Sequence, residues 1–76
     1  MNPRVKNVSS NSDFTLRIEF TNAEVKVFDA KPYLEFGIFK ELKDYSKFSQ
    51  VKAFLGSIQW SGGQDLCPDT LYLESK

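Results

Sequence analysis

Seventy-six residues, 41% apolar and 26% charged, suit one small domain spanning residues 1–76 and leave no space for a linker and a second one. Ten basic against ten acidic side chains give a formal charge of zero, which removes any chain-wide electrostatic drive toward nucleic acid or an anionic membrane. With no histidine and a single cysteine, His-based catalytic dyads, the usual zinc ligand sets and an intrachain disulfide are excluded, and no metal or other cofactor is expected.

Met1-Asn2-Pro3-Arg4 places proline and charge where an export signal would begin its apolar run, and no stretch approaches the ~18 consecutive apolar residues of a membrane helix. A lone Cys67 beside Pro68 suits a reducing interior, so the expected compartment is the cytoplasm, and Cys67, lacking any imidazole to activate it, reads as a buried or half-buried structural residue. Arg4 to Val8 has the composition of an edge strand, ended by the polar run 9–13. From Phe14 to Phe20 the chain alternates: Phe14, Leu16, Ile18 and Phe20 share one face of a strand, and Thr15, Arg17 and Glu19 the other. Asn22 suits the left-handed conformation of a tight turn, whereas Ala23 fits the next position less well than glycine, which predicts a longer or bulged connection. Val25 to Phe28 then returns as a strand with Val25 and Val27 on one face, completing a three-stranded meander in which Arg17 lies opposite or diagonal to Glu24 and Lys26 on a solvated face.

Pro32 cannot donate to a sheet ladder and ends the meander. Leu34, Ile38, Leu42 and Tyr45 follow at spacings of a helical stripe, but Gly37 weakens a helix by ~1 kcal/mol, so the reading is short helical pieces and then a turn that carries Phe48 to the core. Residues 51–55 and 57–60 are strand-like, with Gly56 read as a bulge or bend in one continuous strand, and 61–63 as a loop. Residues 65–73 close the chain, Asp69 serving as a helix cap or turn residue and Leu71 and Tyr72 returning to the core. The expected fold class is α+β: a two-layer sandwich with a mainly antiparallel sheet, made of an N-terminal β-meander, short central helices and C-terminal strands.

Pro3, Val5, Leu16, Phe20, Asn22, Phe28-Asp29, Pro32-Tyr33-Leu34, Gly37, Phe39 and Leu42 form the first part of an ordered set of landmarks; Phe48, Val51, Ile58-Gln59-Trp60, Asp65-Leu66, Pro68-Asp69 and Leu71-Tyr72 complete it. In that order the chain resembles the bacterial domain of unknown function 2442 family over nearly its whole length. It departs at Ala23, where the family commonly has glycine, and at Ser61-Gly62-Gly63, where proline or asparagine often follows the tryptophan. The resemblance implies an α+β fold and no established activity. Some relatives look like the antitoxin-type half of a two-gene module and others precede a DNA-binding helix-turn-helix, for which 76 residues leave no space. Both settings imply binding and not catalysis.

Seven Phe, three Tyr and one Trp are more aromatic surface than one small core readily hides. Tyr33, Phe36 and Phe39, together with Trp60 and Asp65, are therefore the candidate partner-binding residues, on an aromatic surface around 33–39 and 60–66 that meets another small, co-encoded protein. Trp60 has a second reading, as a cap on the core at a strand end, and Asp65 as an acceptor of backbone hydrogen bonds in the turn. An exposed first-strand edge offers a route to a second copy of the chain. The alternative function is a nucleic-acid-associated regulator using Lys40, Lys43, Lys47 and Lys52, although Glu35, Glu41 and Asp44 in the same stretch make any such binding weak or indirect. A small-molecule or hydrolytic site between Trp60 and Asp69, or a catalytic pair drawn from Asp29, Asp65 and Asp69, is the least favoured reading, and the chain is expected not to be an enzyme.

Overall fold

Three antiparallel strands open the fold of residues 2–76, the part of the chain that the computed structural model describes: β1 (Val5–Ser10), β2 (Thr15–Phe20) and β3 (Val25–Asp29), in spatial order β1-β2-β3. From Leu16 on the expected alternation holds: Leu16, Ile18 and Phe20 are fully buried, while Arg17 points to solvent; Phe14 lies in the preceding turn, and Thr15, expected on the solvated face, is buried with its hydroxyl donating to Asp13 at 2.6 Å. The register differs from expectation. Arg17 lies opposite Ser9 and Val27, and Lys26 pairs with Ile18. Phe28, opposite Leu16, turns inward and is buried, so the two-residue period forces Lys26 inward and Val27 and Val25 outward. Val25 and Val27 stay 48% and 44% exposed on the solvated face. Lys26 makes use of its position: its ammonium sits 3.8 Å from the Tyr72 ring centroid and donates to the Tyr72 carbonyl at 3.4 Å.

Three of the connections share one construction. In residues 11–15, 20–24 and 60–64 the first amide donates to the last carbonyl, and the fourth amide donates back to the first carbonyl. Each encloses a three-residue hairpin loop whose last residue must be left-handed. Those residues are Phe14 (φ 64°), Ala23 (φ 73°) and Gly63 (φ 93°). In the first two, the side chain just before the left-handed residue reinforces the turn, Asp13 accepting from the Thr15 amide at 3.3 Å and Asn22 from the Glu24 amide at 3.1 Å. The bulged turn expected at Asn22-Ala23 is thus present, with Ala23 and not Asn22 carrying the left-handed backbone.

After β3 come two 3₁₀ segments, Lys31–Glu35 and Gly37–Lys43, and the short helix α1 (Tyr45–Phe48), in agreement with short helical pieces. Gly37, at φ 49°, opens the second 3₁₀ segment. With three residues per turn, Phe39 and Leu42 point inward together, and Ile38 is left 61% exposed, which breaks the four-residue stripe read from the sequence. Asp44 caps α1, accepting from the Ser46 amide at 3.1 Å and its hydroxyl at 2.8 Å.

A second antiparallel sheet, β4 (Lys52–Phe54), β5 (Ser57–Gln59) and β6 (Asp65–Leu66), follows in spatial order β4-β5-β6, and α2 (Pro68–Glu74) ends the fold. Gly56 does not carry one continuous strand. Leu55 (φ 50°) and Gly56 (φ 81°) are consecutive left-handed residues, the signature of a two-residue hairpin, so the chain reverses there. A Cβ on Gly56 would stand 2.7 Å from Arg4 Cδ, and the Gly56 carbonyl accepts from the Val5 amide at 2.8 Å, which ties the second sheet to the edge of β1. Asp69 lies within the first turn of α2, at the end of the helix that favours a carboxylate, while Cys67 holds the cap position and, contrary to the buried or half-buried place expected of it, is exposed. Past α2, Lys76 and Val27 exchange both backbone hydrogen bonds, at 2.8 and 2.9 Å, covering part of the β3 edge. The fold is α+β as expected, with its strands divided between two three-stranded sheets around one core that includes Leu16, Phe20, Phe28, Phe48, Ile58, Trp60 and Leu71.

Candidate interaction surface

Trp60 leaves the end of β5 pointing into the core. It is 1% exposed, its indole N–H donates to the Phe48 carbonyl at 2.9 Å, and its ring packs on Phe48 (centroids 5.8 Å apart) and edge-on against Phe39 (6.2 Å). The candidate contact at Trp60 is therefore corrected: the core-cap reading applies, because burying so large a ring with its only donor satisfied is the more favourable use of it. The loop that follows is built around Gln64, a residue that sequence reasoning missed. Gln64 is as buried as Trp60, and its Nε2 donates to the Ile38 carbonyl at 2.8 Å and to Glu41 at 2.9 Å, fastening the β5–β6 hairpin to the second 3₁₀ segment. Both neighbours are acceptors, so the amide nitrogen must face them. A Cβ on Gly62 would lie 2.7 Å from Gln64 Oε1, so Gly62 is needed for close approach, whereas Gly63 is needed for its backbone angle. The Gly63 amide is engaged by the Trp60 carbonyl, which removes it from any anion-holding role. Nothing in the local sequence distinguishes Gln64 from a solvated glutamine.

Tyr33 and Phe36 behave differently. Phe36 joins the two 3₁₀ segments in an extended conformation (φ −114°, ψ 128°), and Gly37 then turns the chain away, leaving the ring 68% exposed. Tyr33 lies half-buried, its ring 5.5 Å from Phe28 and 6.4 Å from Phe39, and its hydroxyl donates to Glu74 Oε1 at 2.7 Å. That bond to a carboxylate, with partial burial second, pushes the Tyr33 phenol up to about 12. Phe28, Pro32, Tyr33 and Phe36 line a groove of about 350 Å³ between the first 3₁₀ segment and the end of α2, with Asp29 and Glu74 at its margin. Asp29 Oδ1 accepts from the Lys31 amide (3.0 Å) and ammonium (2.9 Å), and the ammonium bond leads the effects that hold this carboxyl below its ordinary value.

Of the five candidate residues, Tyr33 and Phe36 thus meet at one groove, with Phe39 half-buried behind Tyr33. Asp65 is exposed on β6 and borders a separate groove with Arg4, Phe54, Leu55 and Leu66; the ordering of the turn expected of it is performed by Gln64. No hydrogen bond or shared groove joins Asp29 to Asp65 or Asp69, and the Asp69 carboxylate accepts instead from Asn2 at 3.3 Å. In the central segment Lys43 pairs with Glu35 at 2.9 Å and Lys47 with Glu41 at 3.5 Å, so two of the four lysines are matched in place. Among the described residues no three Asp, Glu or Cys side chains converge as metal ligands, and no helix is long and apolar enough to cross a membrane.

A family model described as "Protein of unknown function (DUF2442)" matches residues 5–76. The chain belongs to that family. The DUF2442 match runs from the first residue of β1 past the end of α2, so it takes in every strand and helix of both sheets. No curated protein and no solved structure matches the chain.

Proposed function

We propose that this DUF2442 chain is a non-enzymatic, cytoplasmic protein-interaction module whose contact surface is the groove between Tyr33 and Phe36. The observation that supports it is Phe36, an aromatic ring 68% exposed beside a groove already lined by Phe28, Pro32 and Tyr33. Covering a phenylalanine side chain is worth about 1.5–3 kcal/mol, so a single partner contact there changes affinity roughly ten- to a hundredfold. Against chemistry at the same place stands the engagement of its two carboxylates, Asp29 by Lys31 and Glu74 by Tyr33, in a chain with no imidazole to act beside them. The partner is another small protein, and the regulatory or antitoxin-like half of a two-gene module is the role that the family resemblance favours.

The test is affinity purification of the tagged chain from its native host, comparing the wild type with Phe36→Ser. Because Phe36 is exposed, the variant keeps its melting curve. Loss of a stoichiometric protein from the variant at unchanged folding is the expected result, and equal retention by both removes this surface.

A further inference from the structure

We propose that the groove takes an arginine side chain, presented by an extended apolar segment of the partner protein; this rests on the interaction reading above and specifies its chemistry. The groove combines two features that seldom suit one ligand group. Its lining is aromatic and apolar, from Phe28, Pro32, Tyr33 and Phe36, while its margin carries Asp29 and Glu74 against one cation, Lys31. The acceptors are only half used. Lys31 occupies Oδ1 of Asp29 and Tyr33 occupies Oε1 of Glu74, while Asp29 Oδ2 and Glu74 Oε2 accept no hydrogen bond among the described residues.

A purely apolar ligand would strip water from the free oxygen of each carboxylate without giving it a donor. A lysine would satisfy a carboxylate and can sit over a ring, as Lys26 does over Tyr72, but its compact ammonium has no flat face to stack and fewer donors for two carboxylate oxygens at once. A guanidinium suits both surfaces: it is flat, weakly hydrated, stacks on aromatic faces, and carries five donors for carboxylate oxygens. The exposed Phe36 ring and the half-buried Tyr33 ring supply the faces, and the apolar neighbours of the arginine cover what remains of Phe36.

The experiment is an amide-resolved NMR titration of the ¹⁵N-labelled full chain with acetyl-Ala-Leu-Arg-Leu-Ala-amide and with the same peptide carrying lysine or norleucine in place of arginine. The arginine peptide is expected to shift the amides of Phe28, Asp29, Tyr33, Phe36 and Glu74 and to bind at least about fivefold more tightly than either comparator. Asp29→Asn and Glu74→Gln keep the acceptor atoms that Lys31 and Tyr33 use, so both fold, and each weakens the arginine peptide about two- to fivefold while leaving the norleucine peptide unchanged. Glu19→Gln, the same loss of charge on the outer face of β2, has no effect. Equal affinity of the arginine and norleucine peptides at these amides overturns the arginine assignment and leaves the interaction reading standing. If no peptide shifts these amides, the arginine assignment also fails, and Phe36→Ser in the purification assay decides the interaction reading separately.

Discussion

Replacing Ala23 by glycine should stabilise the protein, an outcome opposite to that of most alanine-to-glycine changes. Ala23 occupies the left-handed position of the β2–β3 turn at φ 73°, a conformation that costs an L-residue about 1–2 kcal/mol because Cβ crowds the following carbonyl. Glycine removes that cost but adds freedom to the unfolded chain, worth ~0.4–1 kcal/mol in the other direction. Ala23 is exposed, so the lost methyl contributes little, and the balance favours glycine by roughly 0.5–1 kcal/mol. For a chain of this length that is about 2–8 °C in melting temperature. The matching turn at residues 60–64 supplies the reverse test. Gly63 sits at φ 93° with no atom within 4 Å of where a Cβ would be, so Gly63→Ala introduces backbone strain alone and should lose a similar amount. Phe14 shows the third outcome. Its ring lies 5.1 Å from Phe48 and 5.7 Å from Tyr45, and removing that packing, worth about 2–3 kcal/mol, outweighs the backbone relief, so Phe14→Gly should destabilise. Urea unfolding followed by circular dichroism, with unchanged slope, measures all three. A less stable Ala23→Gly variant, or a neutral Gly63→Ala, would refute the reasoning.

Trp60→Phe should cost about 2–3 kcal/mol, since it leaves the Phe48 carbonyl with only the Val51 amide at 3.3 Å and opens space between Phe39 and Phe48; a loss below about 1 kcal/mol in the same unfolding assay contradicts that account. At alkaline pH the Tyr33 phenol, raised to about 12 by its bond to Glu74, keeps its proton in the folded chain after the unfolded chain has lost it near 10. Its contribution is therefore complete below pH 10 and disappears as pH rises toward 12, and Tyr33→Phe should flatten that part of a stability–pH profile. At the acid end Asp13, Asp29 and Asp44 are held below their usual value, chiefly by hydrogen bonds from Thr15, Lys31 and Ser46. Stability from these groups is present above about pH 4 and lost as pH falls through their lowered values. Asp44→Asn should narrow the loss.

How much was legible before the fold was known depended on the range of the interaction involved. The alternation of Leu16, Ile18 and Phe20, the break at Pro32 and the division of the centre into short helical pieces are properties of consecutive residues, and each stands in the structure. Where a residue can serve two purposes, neighbours in sequence did not decide between them. Val25 and Val27 share a face as their spacing requires, but Phe28 determined that the face is the outer one. Ile38 fits a stripe with Leu34 and Leu42 only at 3.6 residues per turn, and the 3₁₀ geometry on either side of Gly37 put it outside. Within the candidate site, Tyr33 and Phe36 were legible as surplus aromatic surface. The role of Gln64 was not, because its two acceptors come from residues 38 and 41, more than twenty positions away.

The sequence by itself determined the fold class, the strand-forming alternation and most of the places where the chain turns, the reversal at Leu55-Gly56 excepted, because these follow from side-chain periodicity and from the backbone preferences of glycine, proline, asparagine and aspartate. Only the tertiary structure decided which aromatics are hidden. Trp60 and Phe36 are similar choices for an exposed anchor when read along the chain, yet one finds a carbonyl and two rings to receive it, and the other is left outside by the turn at Gly37. Burial depends on what distant segments bring to the same point. That convergence also set Asp29 and Glu74, forty-five positions apart, at the margin of one groove.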